Sequence, residues 1–363
     1  VKRLRAAWDH AFFRPAAPLG LRAARVILCA QALWVLLSRP DLPQLAAWPS
    51  AFWGVAPALL RARFGMGLPA AAEQALYVLL HAALAACLLG LWPRATALLS
   101  ALLLYHFAPF EEAIVALPHT SFGGLTVPVL GLAVLSFAPA PPRAAEPSSE
   151  YRWPLALIQL LFVCGYFFPM LAKLRYSGPL WFTGENIRNY ALGNWGVTAA
   201  PLALWVAASP WAARVIAAFT LLLETSSPLV LLSSTFAAVF AVVAVGFHVG
   251  IMLAIGYSYP SLPLLALLLD WDRIERWWAR LRSRGVGGAT LGRAALLLAL
   301  AAAACGGRAP EAAEPPPPVA AGPRVGERIP DFALPDQAGR PRTFASLAGP
   351  RGLVINFNRS VVW

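Results

Sequence analysis

The sequence predicts an all-α polytopic membrane protein with about eight transmembrane helices and further helices lying at the interface. Three observations carry that fold class. Of 363 residues, 59% are hydrophobic and only 13% are charged, with a mean hydropathy of +0.63, far too little polar surface for a water-soluble domain of this length. The apolar residues gather into runs near the roughly 20 residues that cross a bilayer core. The charges sit at the ends of those runs.

Lys and Arg number 29 against 17 Asp and Glu, a net +12. In a membrane chain this excess marks cytoplasmic anchoring loops, and the placement of the basic residues at run ends argues against nucleic acid as a partner. The four cysteines, Cys29, Cys87, Cys164 and Cys305, contain no CxxC pair, and the first three lie inside apolar runs. They read as small hydrophobes, and neither a disulfide framework nor a metal site is indicated.

In chain order, the basic, aromatic N-terminus (1–15) reads either as a short amphipathic helix on the cytoplasmic surface or as a solvated tail. The expected spans are Leu19–Ser38, Glu73–Trp92, Ala95–Phe110, Phe122–Ala138, Trp153–Ala172, Trp211–Leu232, Phe236–Tyr257 and Pro260–Leu269. An interfacial helix is expected near Leu45–Arg63, and a hydrophilic linker at 139–152. The last span is short and begins with Pro260 and Pro263, so a tilted or partly re-entrant helix is expected there. The arginines of 270–284 place that stretch in the cytoplasm with the N-terminus. Eight crossings bring both ends to one side and put the polar segment 173–190 at the outer face. The localisation read from this is a bacterial cytoplasmic (inner) membrane, with membrane lipids as partners.

Residues 284–305 carry a basic flank, an apolar stretch and a cysteine. They read either as a ninth span, Leu291–Ala304, carrying the C-terminal tail outside, or as a lipoprotein-like signal with Cys305 lipidated. A Pro/Ala-rich linker (306–323) follows. Residues 324–363, with VGERIPDFALPDQAG (325–339), the turn at 344–349 and GLVINF (352–357), resemble the start of a redoxin or peroxiredoxin (thioredoxin-like) domain. The resemblance implies a redox protein partner. The sequence given stops at Trp363, ahead of the redox cysteine, so an incomplete and chemically inactive fragment is expected. Its expected structure is either poorly ordered extended chain or a stub of one or two strands and a turn of helix.

Ionisable groups inside spans cost on the order of 2.5–3.5 kcal/mol each at mid-membrane, so the few present in 1–283 mark candidate sites. Glu73, Tyr77 and His81 share one face of the second span, with His81 expected as a packed core histidine. His106 lies late in the third. Glu73, Glu111 and Glu112 are expected to be interfacial and solvated. Gln159, Tyr166 and Lys173 form a stripe at heptad spacing, and Glu224 and His248 sit inside the sixth and seventh spans. A mid-span carboxylate needs a partner or a proton, and Lys173 with Glu224 or His248 would supply one. A partly desolvated lysine has a lowered pKa and is a candidate base. Arg175 and Arg188 would hold either an anionic group or lipid phosphates.

AKLRYSGPLWFTGENIRNY (172–190), LLLETSSPLVLL (221–232) and GFHVGIMLAIG (246–256) resemble the membrane domain shared by bacterial HTTM proteins and vitamin K-dependent γ-glutamyl carboxylase, over about residues 15–270. The resemblance implies a bundle of membrane-embedded and interfacial helices. It further implies that Lys173, with Leu174 and Trp181 in register, matches the lysine assigned as base in the carboxylase. Glu224 and His248 match its E-x-x-x-P and F-H-x-G patterns, and Tyr166, Arg175, Trp181 and Arg188 are the expected substrate-binding residues. Ala172 stands where the carboxylase has a second lysine, and carboxylation of protein glutamates is not expected. Two functions remain open: a membrane enzyme acting on a lipophilic, quinone-like small molecule, or a non-catalytic transport or assembly component whose polar cluster holds helices together.

Overall fold

The computed structural model describes residues 2–47, 68–115, 124–142, 145–283 (apart from 199, 258 and 260), 331–335 and 339–349. The chain divides into two units, 1–288 and 289–363. Among its described residues the first is built of helices, with one isolated bridge between Ala16 and Ser148. Its helices are α1 (Lys2–Phe13), α2 (Leu19–Leu37), α3 (Leu42–Ala46), α4 (Ala70–Leu89), α5 (Pro93–Val115), α6 (Thr126–Phe137), α7 (Arg152–Tyr176), α8 (Glu185–Thr198), α9 (Ala203–Ala208), α10 (Pro210–Ser226), α11 (Ser234–Ile255) and α12 (Trp271–Ser283). Four 3-10 segments among the described residues, Ser149–Tyr151, Gly178–Thr183, Ser227–Leu231 and Leu262–Leu268, join them.

Five of these elements are long and apolar enough to cross a membrane: Leu19–Leu37, Ala70–Leu89, Ser149–Tyr176, Pro210–Leu231 and Ser234–Ile255. Helix α5 has 23 residues. Helix α6 has only 12. Length removes α6 from the crossings expected, but not α5, which is long enough and is not among the five. The local signals are readable at several ends. Ser233 accepts a hydrogen bond from the Phe236 N–H to open α11, and Gly256, at φ +86°, closes it.

One end of the unit is stitched together. The Ala17 N–H donates to Asp272 Oδ1 at 2.6 Å and the Leu19 N–H to Glu275 Oε2 at 3.2 Å. Ala16 and Ser148 exchange both backbone hydrogen bonds at 3.0 Å. Buried Arg152 donates to the Ala11 carbonyl and to Gln159 Oε1, and Gln159 Nε2 donates to the Leu267 carbonyl. The N-terminal stretch, the 139–152 linker and residues 270–275 therefore meet at one end, as an even number of passes between them requires.

The segment expected as the eighth crossing, Pro260–Leu269, is the 3-10 leg Leu262–Leu268. It differs from a span in a simple way. The chain turns back at Gly256, and the Tyr259 ring meets the His248 ring at 4.2 Å, part-way down α11. His248 is about 21 Å along that helix from Ser234 at 1.5 Å per residue, and Asp270 reaches the Ser234 hydroxyl. Eleven residues cover this distance at about 2 Å each, the rise of a 3-10 helix. The leg completes the return to the stitched end and falls short of the roughly 30 Å bilayer core.

In the second unit, strand β1 (Ala333–Pro335) pairs antiparallel with β2 (Pro341–Thr343), followed by the single turn α13 (Phe344–Leu347) under a Thr343–Ser346 capping box. The interfacial stretch 48–63, the entry to the fourth span at 122–123, the ninth-span or lipidation segment with Cys305, the linker 306–323 and the run 352–357 lie outside the described residues.

Asp270 reports on the stitched end. Partial burial opposes its ionisation, but the Arg273 N–H (2.9 Å), the Ser234 hydroxyl and the charges of Arg14 and Arg276 outweigh that and hold its carboxyl below the ordinary aspartate range. A depressed carboxylate pKa contributes stability above the unfolded value of about 3.9, and that contribution is lost as pH falls through the folded value. Amide exchange in 271–281, corrected for intrinsic rates, is expected to stay slow from neutral pH to about pH 4 and to rise below it. Asp270→Asn flattens this acid dependence.

Candidate functional site

The polar segment that follows α7 is built by a few local rules. Helix α7 ends at Tyr176, and Gly178–Thr183 continues as a 3-10 turn that lays Trp181 against α10. The buried Trp181 indole donates to the Ala217 carbonyl at 3.0 Å. Gly184, at φ +77°, stops the turn, and a Cβ there would meet the Ala213 carbonyl carbon and the Arg214 nitrogen at 2.7 Å. Only glycine tolerates both the left-handed conformation and so close a backbone. The spacing of Lys173, Trp181 and Gly184 is thus the spacing of one folded clamp.

Lys173 and Glu224 meet across that clamp. Helix α7 runs away from the stitched end and α10 runs back toward it. Helical Cα–Cβ bonds tilt toward the N-terminus, so the two side chains lean toward one another. Lys173 Nζ donates to Glu224 Oε1 at 2.6 Å and lies 5.3 Å from the Trp181 ring centroid. The lysine side chain is 20% exposed and the glutamate 9%. Lys173 also complements the C-terminal dipole of its own helix. Glu224 Oε2 is buried with no hydrogen-bond partner among the described residues.

His248 joins the pair through a shared cavity of about 550 Å³. Lys173, Glu224, His248, Tyr166 and Trp181 all line it, with Thr220, Tyr190, Tyr257 and Tyr259, among mainly apolar side chains from α6, α7, α8, α10 and α11. His248 Nδ1 lies 2.7 Å from the Ala244 carbonyl. A carbonyl only accepts, so Nδ1 carries the proton and the lone pair of the neutral ring is on Nε2. Tyr166 and Tyr259 flank the imidazole edge-on, at 5.9 and 4.2 Å between centroids.

The remaining candidates separate. Arg175 is exposed beside the Tyr176 ring, 5.8 Å from its centroid. Arg188 donates to the Ala207 carbonyl at 2.7 Å and to Glu185 Oε1 at 2.8 Å, tying α8 to α9. Neither lines the cavity. The 159/166/173 stripe also divides: Gln159 belongs to the stitched end, while Tyr166 and Lys173 face the cavity.

The expectation that Glu73 is interfacial and solvated is corrected. It is fully buried and bonded to His106 Nε2 at 2.7 Å, because the α4–α5 hairpin folds the third span back beside its first turn. His81 is half-buried rather than in the core, and its Nδ1 lies 2.8 Å from the Tyr77 carbonyl one turn back in its own helix, not from a neighbouring one. The side chains of Glu111 and Glu112 lie outside those described.

Thr220, Tyr190 and Tyr257 line the cavity without having been singled out in the sequence. Thr220 precedes Glu224 by one helical turn, a signal that was readable. The two tyrosines carried none. No family model, curated protein or solved structure matches the chain.

Gly184→Ala tests the clamp. A Cβ forced against backbone at positive φ is expected to cost about 1–3 kcal/mol, read as a lower unfolding midpoint in detergent. Gly178→Ala also carries strain from its φ of +52° but meets nothing within 4 Å, so it is expected to cost less.

Proposed function

We propose that the protein is a membrane enzyme of the HTTM type that acts on a lipophilic, quinone-like small molecule held in the cavity of the first unit. The observation that carries this reading is the convergence of an ion pair and a histidine on one largely apolar cavity. A space of about 550 Å³ is of the size that small-molecule sites use, and apolar walls with a few polar groups are their usual composition. Its walls extend to lipid-facing side chains: Leu130 of α6 is 43% exposed and Phe168 of α7 is 61% exposed. A ligand dissolved in the bilayer can therefore enter between these helices without crossing water.

The chemistry this arrangement suits is proton transfer. Lys173 is the candidate base, as the resemblance to the carboxylase implies. For the amine to accept a proton it must first be neutral, and Glu224 is the group positioned to take the ammonium proton along the 2.6 Å hydrogen bond. A neutral pair costs less in an apolar cavity than two separated charges. His248 offers a second lone pair at Nε2. Trp181 lies over the ammonium and Tyr166 packs edge-on against the neutral imidazole, so each positions one of these groups. Catalysis at a bacterial cytoplasmic membrane, with the stitched end inward, belongs to the same reading, and its support is the arginine distribution.

Filling the cavity tests it. A Cβ on Gly165 meets nothing within 4 Å, so Gly165→Phe is expected to fold normally while occupying ligand space. Wild-type protein purified in mild detergent is expected to retain a lipophilic molecule detectable by extraction and mass spectrometry, and Gly165→Phe to lose it. A folded Gly165→Phe protein that retains the same molecule in the same amount contradicts the proposal.

A further inference from the structure

We propose that α12 is a docking surface for anionic phospholipid headgroups. The helix reads WDRIERWWARLRS, and its two kinds of charge are put to different uses. Both carboxylates of its first turns turn inward. Asp272 Oδ1 and Glu275 Oε2 accept the backbone N–H groups of Ala17 and Leu19, at the opening of α2. Trp271 packs on the same side, its Cβ 3.5 Å from where a Gly20 Cβ would sit.

The arginines are left facing outward. At 100° per residue, Arg273, Arg276 and Arg280 fall within about 60° of helix circumference, and all three are exposed. Within α12 no acidic side chain shares that sector; Asp270, just ahead of the helix, is the carboxylate whose charge Arg276 meets. Next to it lies an apolar sector of Ile274, Trp277, Trp278 and Leu281, of which Trp277 is 49% exposed. A basic stripe bordering an aromatic one is the pattern of a helix lying in the plane of the bilayer interface, with tryptophan at headgroup level and arginine on phosphate.

Position fixes the occupant. The carboxylate bonds anchor α12 where α2 begins, so the helix sits level with the end of an apolar span. Headgroup phosphates are the anions that a bilayer presents at that level, and arginine forks match phosphate oxygens in geometry as well as charge.

The test uses the full chain in nanodiscs of phosphatidylcholine with increasing phosphatidylglycerol, followed by native mass spectrometry of retained lipid and by thermal unfolding. Wild type is expected to retain phosphatidylglycerol preferentially and to gain in unfolding midpoint, with the preference falling as salt is raised. Replacing Arg273, Arg276 and Arg280 together by Gln is expected to weaken the preference by about a hundredfold. Lysine at the three positions preserves most of it. Inorganic phosphate at the same concentration is expected to leave the midpoint unchanged. The lysine variant and the salt series carry the test if the glutamine variant does not fold. The proposal is overturned if the glutamine variant retains phosphatidylglycerol as wild type does, if salt has no effect, or if free phosphate or duplex DNA displaces the lipid. None of these outcomes bears on the cavity, which α12 does not line.

Discussion

An ion pair inside an apolar bundle constrains much of this structure. Lys173 and Glu224 are 20% and 9% exposed, and each would be costly there alone. Together they fix where the end of α7 stands against α10. The clamp beside them follows from that placement. Trp181 covers the ammonium and anchors on the Ala217 carbonyl, and Gly184 allows the backbone to come within van der Waals contact of α10. The pair and Trp181 line the cavity together, which is walled by α6, α7, α8, α10, α11 and the returning 3-10 leg. One oxygen of Glu224 remains without a partner among the described residues, which a purely structural pair would have little reason to leave.

The opposite end holds the bundle closed by different means. Its bonds join backbone to side chain across large sequence distances: α12 carboxylates on the opening of α2, Arg152 on the Ala11 carbonyl, and Gln159 on the Leu267 carbonyl. These contacts satisfy helix-end N–H and C=O groups that would otherwise be orphaned. They place every hydrophilic connection assigned to one face at the same end.

Much of this was legible in the chain. Apolar run length and arginine placement predicted helices and their alternation. Two of the expected crossings fall outside the five long apolar helices because of length: α6 is 12 residues and the last pass is a 3-10 leg. Hydropathy counts residues, while crossing depends on rise per residue, and prolines at 260 and 263 only hint at the change. Lys173, Glu224 and His248 were legible because ionisable residues in apolar runs are conspicuous. Glu73 was misread because its position near a helix start looks interfacial, and its partner His106 lies 33 residues away across a hairpin. Tyr190 and Tyr257 carried no pattern, since an aromatic residue in such a chain is ordinarily packing. Arg188 looked like an anion ligand and instead joins two short helices, because a guanidinium next to helix-end carbonyls satisfies them first.

The measurement that bears most directly on the account is a double-mutant cycle at Lys173 and Glu224, using Lys173→Met, Glu224→Gln and the double variant, each scored by reversible unfolding in detergent. A coupled buried pair predicts that Lys173→Met alone costs about 2–3 kcal/mol, that the double variant recovers part of that loss, and that the coupling energy exceeds about 1 kcal/mol. Additive effects with a coupling near zero would contradict it, and would leave the two residues as independent surface-like charges.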